Sequence, residues 1–330
     1  MTINPTYYGR IEQLIGADSF EYSDGPARGS RGFHLHNDAG LEIDVLGDRA
    51  LDVGAARYRG TSLAWLAPAG FGAPGLYDPR GQGWLRTFGS GLVTTCGLTN
   101  VGVPVEGDYP TGQHGRISAT PASHVSYGTR LVDGVWETFA EGEVREACLF
   151  HENLLLKRAV RLRQGDPTVY VESSVTNDGA RTSPLLFLLH CNFGWPLLSE
   201  ETRLSGLIAH VHPRDDDAAA GLETFHGFSK PIAGFREQTF FVDVDPSVER
   251  PEIVLSNPGI GLSVNVKYNN REMPRLSVWK MVGVQEYVCG IEPGTCNPMG
   301  RDEARRRGQV IEIEPGETRR FDLAISVSAV

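Results

Sequence analysis

The stretch Arg320-Phe321-Asp322-Leu323-Ala324-Ile325-Ser326-Val327 puts a large apolar side chain at every second position. Successive side chains of a strand point to opposite faces, so this period of two marks a strand with one buried and one wetter face. The same alternation recurs in Gly32-Phe33-His34-Leu35-His36, Leu41-Glu42-Ile43-Asp44-Val45, Thr168-Val169-Tyr170-Val171-Glu172 and Gln309-Val310-Ile311-Glu312-Ile313. Leu185 to Leu189 is an unbroken apolar run, which suits a strand covered on both sides. Turn signals such as Asp133-Gly134, Asn177-Asp178-Gly179, Asn257-Pro258-Gly259 and Glu314-Pro315-Gly316 separate these runs, and 39 glycines and 20 prolines suit many short connections. Long amphipathic helical patterns are missing. The chain therefore reads as all-β, one large sandwich of antiparallel sheets spanning 1–330 as a single domain.

The 330 residues are enough for a sizeable core. A formal net charge of −10 repels phosphate backbones and anionic membranes, so nucleic acid and membrane partners are not expected. Met1 to Arg10 lacks a signal pattern, and no apolar run reaches spanning length. The five cysteines (Cys96, Cys148, Cys191, Cys289 and Cys296) are scattered without a CxxC, which suggests no disulfide framework or zinc ribbon and points to the cytoplasm. Arg301 to Arg307 reads as a short solvated helix stopped by Gly308, and Asp215 to Ala220 as an exposed loop. Gly70-Phe71-Gly72-Ala73-Pro74-Gly75 matches a dinucleotide fingerprint in letters only, because Pro74 would fall inside the phosphate-binding helix. No cofactor is expected. The Gly- and Pro-rich segment from Ala67 to Gly83 is long enough to be a functional rim loop.

Several polar contexts could carry chemistry. In Gly112-Gln113-His114-Gly115-Arg116 the glycines leave room for a ligand beside the histidine. The apolar run to Leu189 ends in His190-Cys191-Asn192-Phe193-Gly194-Trp195. Glu292 follows a strand-like stretch and precedes Pro293-Gly294, which should stop the strand and leave the carboxylate at its end. Trp84, Trp195 and Trp279 could stack on a sugar ring or simply pack in the core. Lys280, Arg49, Arg86 and Asn100 stand in settings from which they could reach substrate hydroxyls. The pairs His34/His36 and His210/His212 each face one way on a strand, but neither has an obvious third ligand, so no metal is expected.

Taken together, five stretches resemble the aldose 1-epimerase (galactose mutarotase-like) superfamily, and most closely an uncharacterised bacterial branch of it. They are Leu46-Gly47-Asp48-Arg49-Ala50-Leu51-Asp52-Val53, Gly91-Leu92-Val93-Thr94-Thr95-Cys96-Gly97-Leu98-Thr99-Asn100, Gln113-His114-Gly115-Arg116-Ile117, His190-Cys191-Asn192-Phe193-Gly194 and Gly290-Ile291-Glu292-Pro293. The resemblance runs from about residue 40 to the end and is specific only as a set. It implies a galactose mutarotase-like β-supersandwich of large antiparallel sheets, with a site on a concave sheet face. It further implies Glu292 as catalytic base, His190 as catalytic acid, His114 as a sugar-binding group, and ring opening of a small-molecule sugar without metal or organic cofactor. Arg49, Arg86, Asn100, Asn192, Trp279 and Lys280 are the further substrate-binding candidates. His190 is followed by Cys-Asn-Phe-Gly rather than the usual mutarotase wording, and the sugar-binding aspartate has no secure position, with Asp243 and Asp245 available. Alternatives are another sugar isomerase, lyase or hydrolase on the same fold, or a non-catalytic carbohydrate-binding protein. A monomer or homodimer is expected.

Overall fold

A computed structural model describes residues 3–4, 6–107 and 109–330. Its strands form two large antiparallel sheets, of twelve and eight strands. In the larger sheet the strand order passes from Asp52–Tyr58 to Val93–Leu98, Ser183–Gly194, Tyr287–Gly294, Arg275–Val282 and Gln238–Asp243. The three central strands are named here the histidine strand (Ser183–Gly194), the glutamate strand (Tyr287–Gly294) and the tryptophan strand (Arg275–Val282). The smaller sheet includes Thr318–Ala329, Thr168–Asn177, Asn153–Arg163 and Val135–Ala147 side by side.

Alternation along the histidine strand divides its side chains between two apolar clusters. Leu185, Phe187, Leu189, Cys191 and Phe193 enter the main core with Phe321, Leu323, Ile325 and Val327 of the smaller sheet. Phe187 and Phe321 stack at 4.2 Å across it. Leu186 and Leu188 face the other way and pack with Trp84, Phe88, Cys96, Cys296 and Ala304. The run from Leu185 to Leu189 is thus covered on both sides, as its composition predicts. One buried ion pair joins the sheets: Arg158 of the smaller donates to Asp52 of the larger at 2.9 Å, and Asp52 also accepts from the Thr95 N–H. That carboxylate ties together the two strands that precede the histidine strand in the sheet order.

Two local expectations are corrected. Asp215 to Ala220 is not a loop: Asp216–Ala220 is a short helix, because the Asp215 carboxylate caps it by accepting from the Ala218 N–H at 3.0 Å. Nor does Pro293-Gly294 end the strand before it. The glutamate strand runs through Gly294, so Glu292 lies inside it. The missing proline N–H shows up instead as a gap in the ladder. The glutamate strand pairs with the histidine strand at Cys191–Ile291 and again at Leu188–Gly294, and the pairing lapses at the two positions between.

The segment 67–83 is irregular, with a single 3-10 turn over Pro74–Leu76 and no phosphate-binding helix. It leads into the turn Gly83–Arg86, which carries Trp84 into the second cluster. Arg301–Arg306 is helical and followed by Gly308 at a φ of +65°. All five cysteines are free. Among the described residues no helix is long and apolar enough to cross a membrane.

Candidate active site

The lapse in the ladder falls where the histidine and glutamate strands carry His190 and Glu292. With Cys191 opposite Ile291, the register sets these two across from each other on the face away from the main core. His190 Nε2 stands 3.2 Å from Glu292 Oε1, and the two residues are only 5% and 2% exposed. Ser277 lies opposite Glu292 and Trp279 opposite Gly290 on the tryptophan strand, so both share this face. The Trp279 ring meets His190 edge-on at 5.5 Å, with Trp65 against Trp279 at 6.4 Å.

Gly290 is required beneath them. A Cβ there would lie 2.7 Å from Glu292 Oε1 and 3.2 Å from both His190 Cε1 and Trp279 Cβ. The missing side chain leaves the carboxylate its position.

His114 arrives from a loop. Its φ of +56° and that of Gly115, +70°, make the sharp bend. A Cβ on Gly115 would run into the Gly97 carbonyl, so the glycine lets the loop lie directly on the neighbouring strand. The His114 N–H donates to Gly102 O at 2.9 Å, and the Gly97 N–H donates to His114 O at 3.0 Å. The His114 ring packs on Trp84 at 4.6 Å and meets His190 at 6.0 Å. Its Nδ1 accepts from the Gly102 N–H at 3.3 Å, which leaves the ring proton on Nε2 as a donor.

Burial governs the protonation of the centre. It raises the Glu292 carboxyl to about 8, with the nearby Glu237 charge adding to the rise and Arg214 opposing it. It lowers His190 to about 4 and His114 to about 3. Dry surroundings disfavour charge on either member of the facing pair. Near neutrality His190 and Glu292 therefore hold one proton between them, resting on the carboxyl. Three polar atoms on this face, His190 Nδ1, Asn192 Oδ1 and Ser277 Oγ, are buried without a hydrogen-bond partner. These atoms could donate to or accept from a polar ligand on this face.

The other candidates divide. Asn192 lies on the site face and is anchored through its amide nitrogen to Gly91 O and His190 O. Trp279 is at the site, Trp84 supports His114 from the second cluster, and Trp195 is 74% exposed beyond the strand end. Lys280 does not belong to the site. It follows Trp279 and so points to the opposite face, where its ammonium donates to the carbonyls of Thr224, Phe225 and Gly227 at 3.0, 3.2 and 2.7 Å. Asn100 is fully committed to the backbone: its nitrogen donates to Val103 O and Gly112 O, and its oxygen accepts from the Arg301 N–H. It positions the His114 loop rather than a ligand. Arg49 is buried with its guanidinium on Gly72 O at 2.9 Å, and Arg86 is exposed on the Gly83–Arg86 turn.

Asp243 accepts from His212 at 2.8 Å and Asp245 caps the turn at Ser247, so neither serves this face. His34 is bonded to Asp44 at 2.8 Å, and His36 Nε2 to the Glu12 carbonyl at 3.0 Å. Among the described residues no group of three His, Cys, Asp or Glu could hold a metal ion.

Sequence reasoning missed Glu237 and Arg214. Glu237 accepts from the Trp279 indole N–H at 2.9 Å and pairs with Arg214 at 3.0 Å. Arg214 also donates to Thr239 Oγ1 and to Asp215. The group orients Trp279 at the rim. Its only signal was register, since Gln238 lies opposite Lys280 and brings the preceding glutamate alongside the tryptophan strand.

A family model matches residues 27–327. The chain belongs to the family described as a domain of unknown function, DUF4432. No curated protein matches it. Among solved structures, this DUF4432 chain is similar to a candidate aldose 1-epimerase from Klebsiella pneumoniae subsp. pneumoniae MGH 78578, with 25% identity, a TM-score of 0.87 and coverage of 94% of this chain and 83% of that one. A galactose mutarotase-like protein from Clostridium acetobutylicum aligns at 14% identity and a TM-score of 0.67, covering 96% and 100% of the two chains. A galactose 1-epimerase from Lactobacillus acidophilus NCFM aligns at 15% identity and a TM-score of 0.61, covering 95% and 98%. The fold is galactose mutarotase-like.

Proposed function

We propose that the protein is a carbohydrate-active isomerase, an aldose 1-epimerase that interconverts the anomers of a neutral sugar. The observation that carries this reading is the buried facing pair, His190 Nε2 at 3.2 Å from Glu292 Oε1, beside an aromatic wall. Anomer exchange moves one proton from the anomeric hydroxyl to the ring oxygen, and later back. A pair holding a single proton has the right complement for that transfer. The resting proton is on Glu292. A sugar hydroxyl donating to the carboxylate favours the charged form and so favours passing that proton to His190. Glu292 then takes the proton of the anomeric hydroxyl while His190 gives its proton to the ring oxygen. The C1–O5 bond breaks, the C1–O1 bond becomes a carbonyl, rotation about C1–C2 presents the other face, and reversal closes the ring. The sugar's oxidation state does not change, so the cycle consumes no redox cofactor. His114 Nε2–H supplies a donor to a sugar oxygen, and Trp279 and Trp65 supply apolar faces for the ring.

A glycoside hydrolase reading has one observation in its favour, namely that Glu292 feels the charge of a second carboxylate, Glu237. That carboxylate is engaged through both oxygens, by Trp279 and Arg214, which suits binding better than proton transfer.

Proton NMR of freshly dissolved single anomers, across a panel of aldoses, tests the assignment. Faster approach to the unchanged anomeric equilibrium for at least one sugar is expected. No acceleration for any sugar, with line broadening that shows binding, would replace the isomerase with a binding protein.

A further inference from the structure

The two nitrogens of the His190 ring have different surroundings. Nε2 stands 3.2 Å from Glu292 Oε1. Nδ1 is buried and has no hydrogen-bond partner in the resting structure. With the shared proton on the carboxyl, Glu292 donates to Nε2, and a neutral imidazole that accepts at one nitrogen carries its own proton on the other. Nδ1 is therefore a buried N–H in want of an acceptor.

A neighbouring acceptor is equally unspent. Asn192 follows two positions along the histidine strand, so its side chain leaves the same face as His190. Its Nδ2 donates to Gly91 O at 3.0 Å and to His190 O at 2.9 Å. These two carbonyls keep the amide from turning over, because an oxygen in place of the nitrogen would meet acceptors only. Oδ1 is thus a fixed acceptor, buried and without a donor. The remaining neighbours of the ring offer less. Phe88 and Trp279 present aromatic rings at 5.6 and 5.5 Å, and His114 engages its own Nδ1 with the Gly102 N–H. Thr94, opposite His190, gives its hydroxyl proton to Ser90 O at 2.9 Å. Burial lowers the proton affinity of His190, and the Asn192 amide opposes that fall.

On the reading of His190 and Glu292 as a proton-sharing pair, we propose that Asn192 is a positioning residue: its Oδ1 takes the Nδ1 proton of His190 and so keeps Nε2 as the atom that exchanges a proton with Glu292. Hydrogen bonds in resting sites are often long and tighten during the reaction. This one tightens when His190 becomes an imidazolium, since a charged donor bonds more strongly and at shorter range. Asn192 thereby acts through the acid rather than on the sugar.

Long-range proton–nitrogen correlation spectra of histidine-labelled full chain read the tautomer near neutrality without substrate, with the His190 signals assigned by their loss in His190→Gln. A protonated Nδ1 and a bare Nε2 are expected. Asn192→Leu removes the acceptor, so part of the population should move its proton to Nε2, and kcat for anomer exchange should fall at least about tenfold with KM little changed. Asn192→Asp keeps an oxygen at that place and should hold the proton on Nδ1. Thr94→Val should give the wild-type tautomer. A wild-type proton on Nε2 would overturn the proposal whether or not any variant folds. An unchanged tautomer in folded Asn192→Leu, or a tautomer that changes in Thr94→Val instead, would overturn it as well. If no aldose reacts, the isomerase falls while the tautomer result stands, so the two failures are distinguishable.

Discussion

Lys280 and Glu292 sit on neighbouring strands near the middle of one sheet, both buried and both ionisable, and they face opposite ways. Burial moves both toward the same region, lowering Lys280 to about 8 and raising Glu292 to about 8. Burial and a displaced proton affinity therefore do not tell them apart. Their partners do. The lysine's three donors meet three carbonyls, which makes it a bolt between the sheet and the segment around Phe225. Glu292 has one facing histidine, and around it His190 Nδ1, Asn192 Oδ1 and Ser277 Oγ are unpaired. Lys280 is spent on the backbone, whereas the face that carries Glu292 keeps polar atoms without a protein partner.

Removing the carboxylate tests the contrast most severely. Glu292→Gln is nearly isosteric but cannot exchange a proton, and an acid–base group contributes about 10²–10⁴-fold. Anomer exchange should fall by that order in a protein whose melting temperature near neutrality is not lowered, because glutamine removes a carboxyl whose ionisation the fold opposes. Gly290→Ala comes next. A methyl 2.7 Å from Oε1 displaces the carboxyl, and a misplacement of about 1 Å costs about 10²-fold. NMR kinetics should show a lower kcat in a folded protein.

Lys280→Met should do the reverse. It strips three buried carbonyls of their donor and destabilises the fold by about 1–3 kcal/mol in denaturant titration, leaving exchange per folded molecule close to wild type. Equal loss of activity in Lys280→Met and Glu292→Gln would erase the distinction.

The smallest effects are those of pH. Activity needs one proton on the pair, so it should plateau between about 4 and about 8, falling above as Glu292 ionises and below as His190 gains a proton. Stability follows the same two groups. Glu292 is raised from 4.5 in the fold, so the folded chain keeps a proton the unfolded chain has lost, and this contribution fades as pH rises toward 8. His190 is lowered from 6.5, so its contribution fades as pH falls from 6.5 toward 4. Melting temperatures across this range in wild type and Glu292→Gln should differ mainly on the alkaline side.

Much of this was readable from the chain. Alternation gave the strands, and the apolar run to Leu189 announced a strand covered twice, because those features depend only on neighbours in sequence. The placement of His190 opposite Glu292 joins residues about a hundred positions apart. It entered as an expectation through family resemblance, since strand register is not written in either strand alone. Lys280 was misjudged although the rule against it was local: in a strand, the residue after Trp279 must face away from it. Asn100 was chosen for its polarity, but backbone groups consume its amide. Glu237 stayed hidden in a polar segment because its importance comes from the adjacent strand, where it holds the indole of Trp279.

Pro293 gives the centre a mechanical property. The two strands are riveted at Cys191–Ile291 and at Leu188–Gly294, and between the rivets they form a slot. His190 and Glu292 stand on its opposite lips. Proline has no N–H to bond across this seam, so the strands are held by fewer ladder bonds there than at the flanking pairs. A residue with an N–H in place of Pro293 could close the seam and turn a compliant joint into a stiff one.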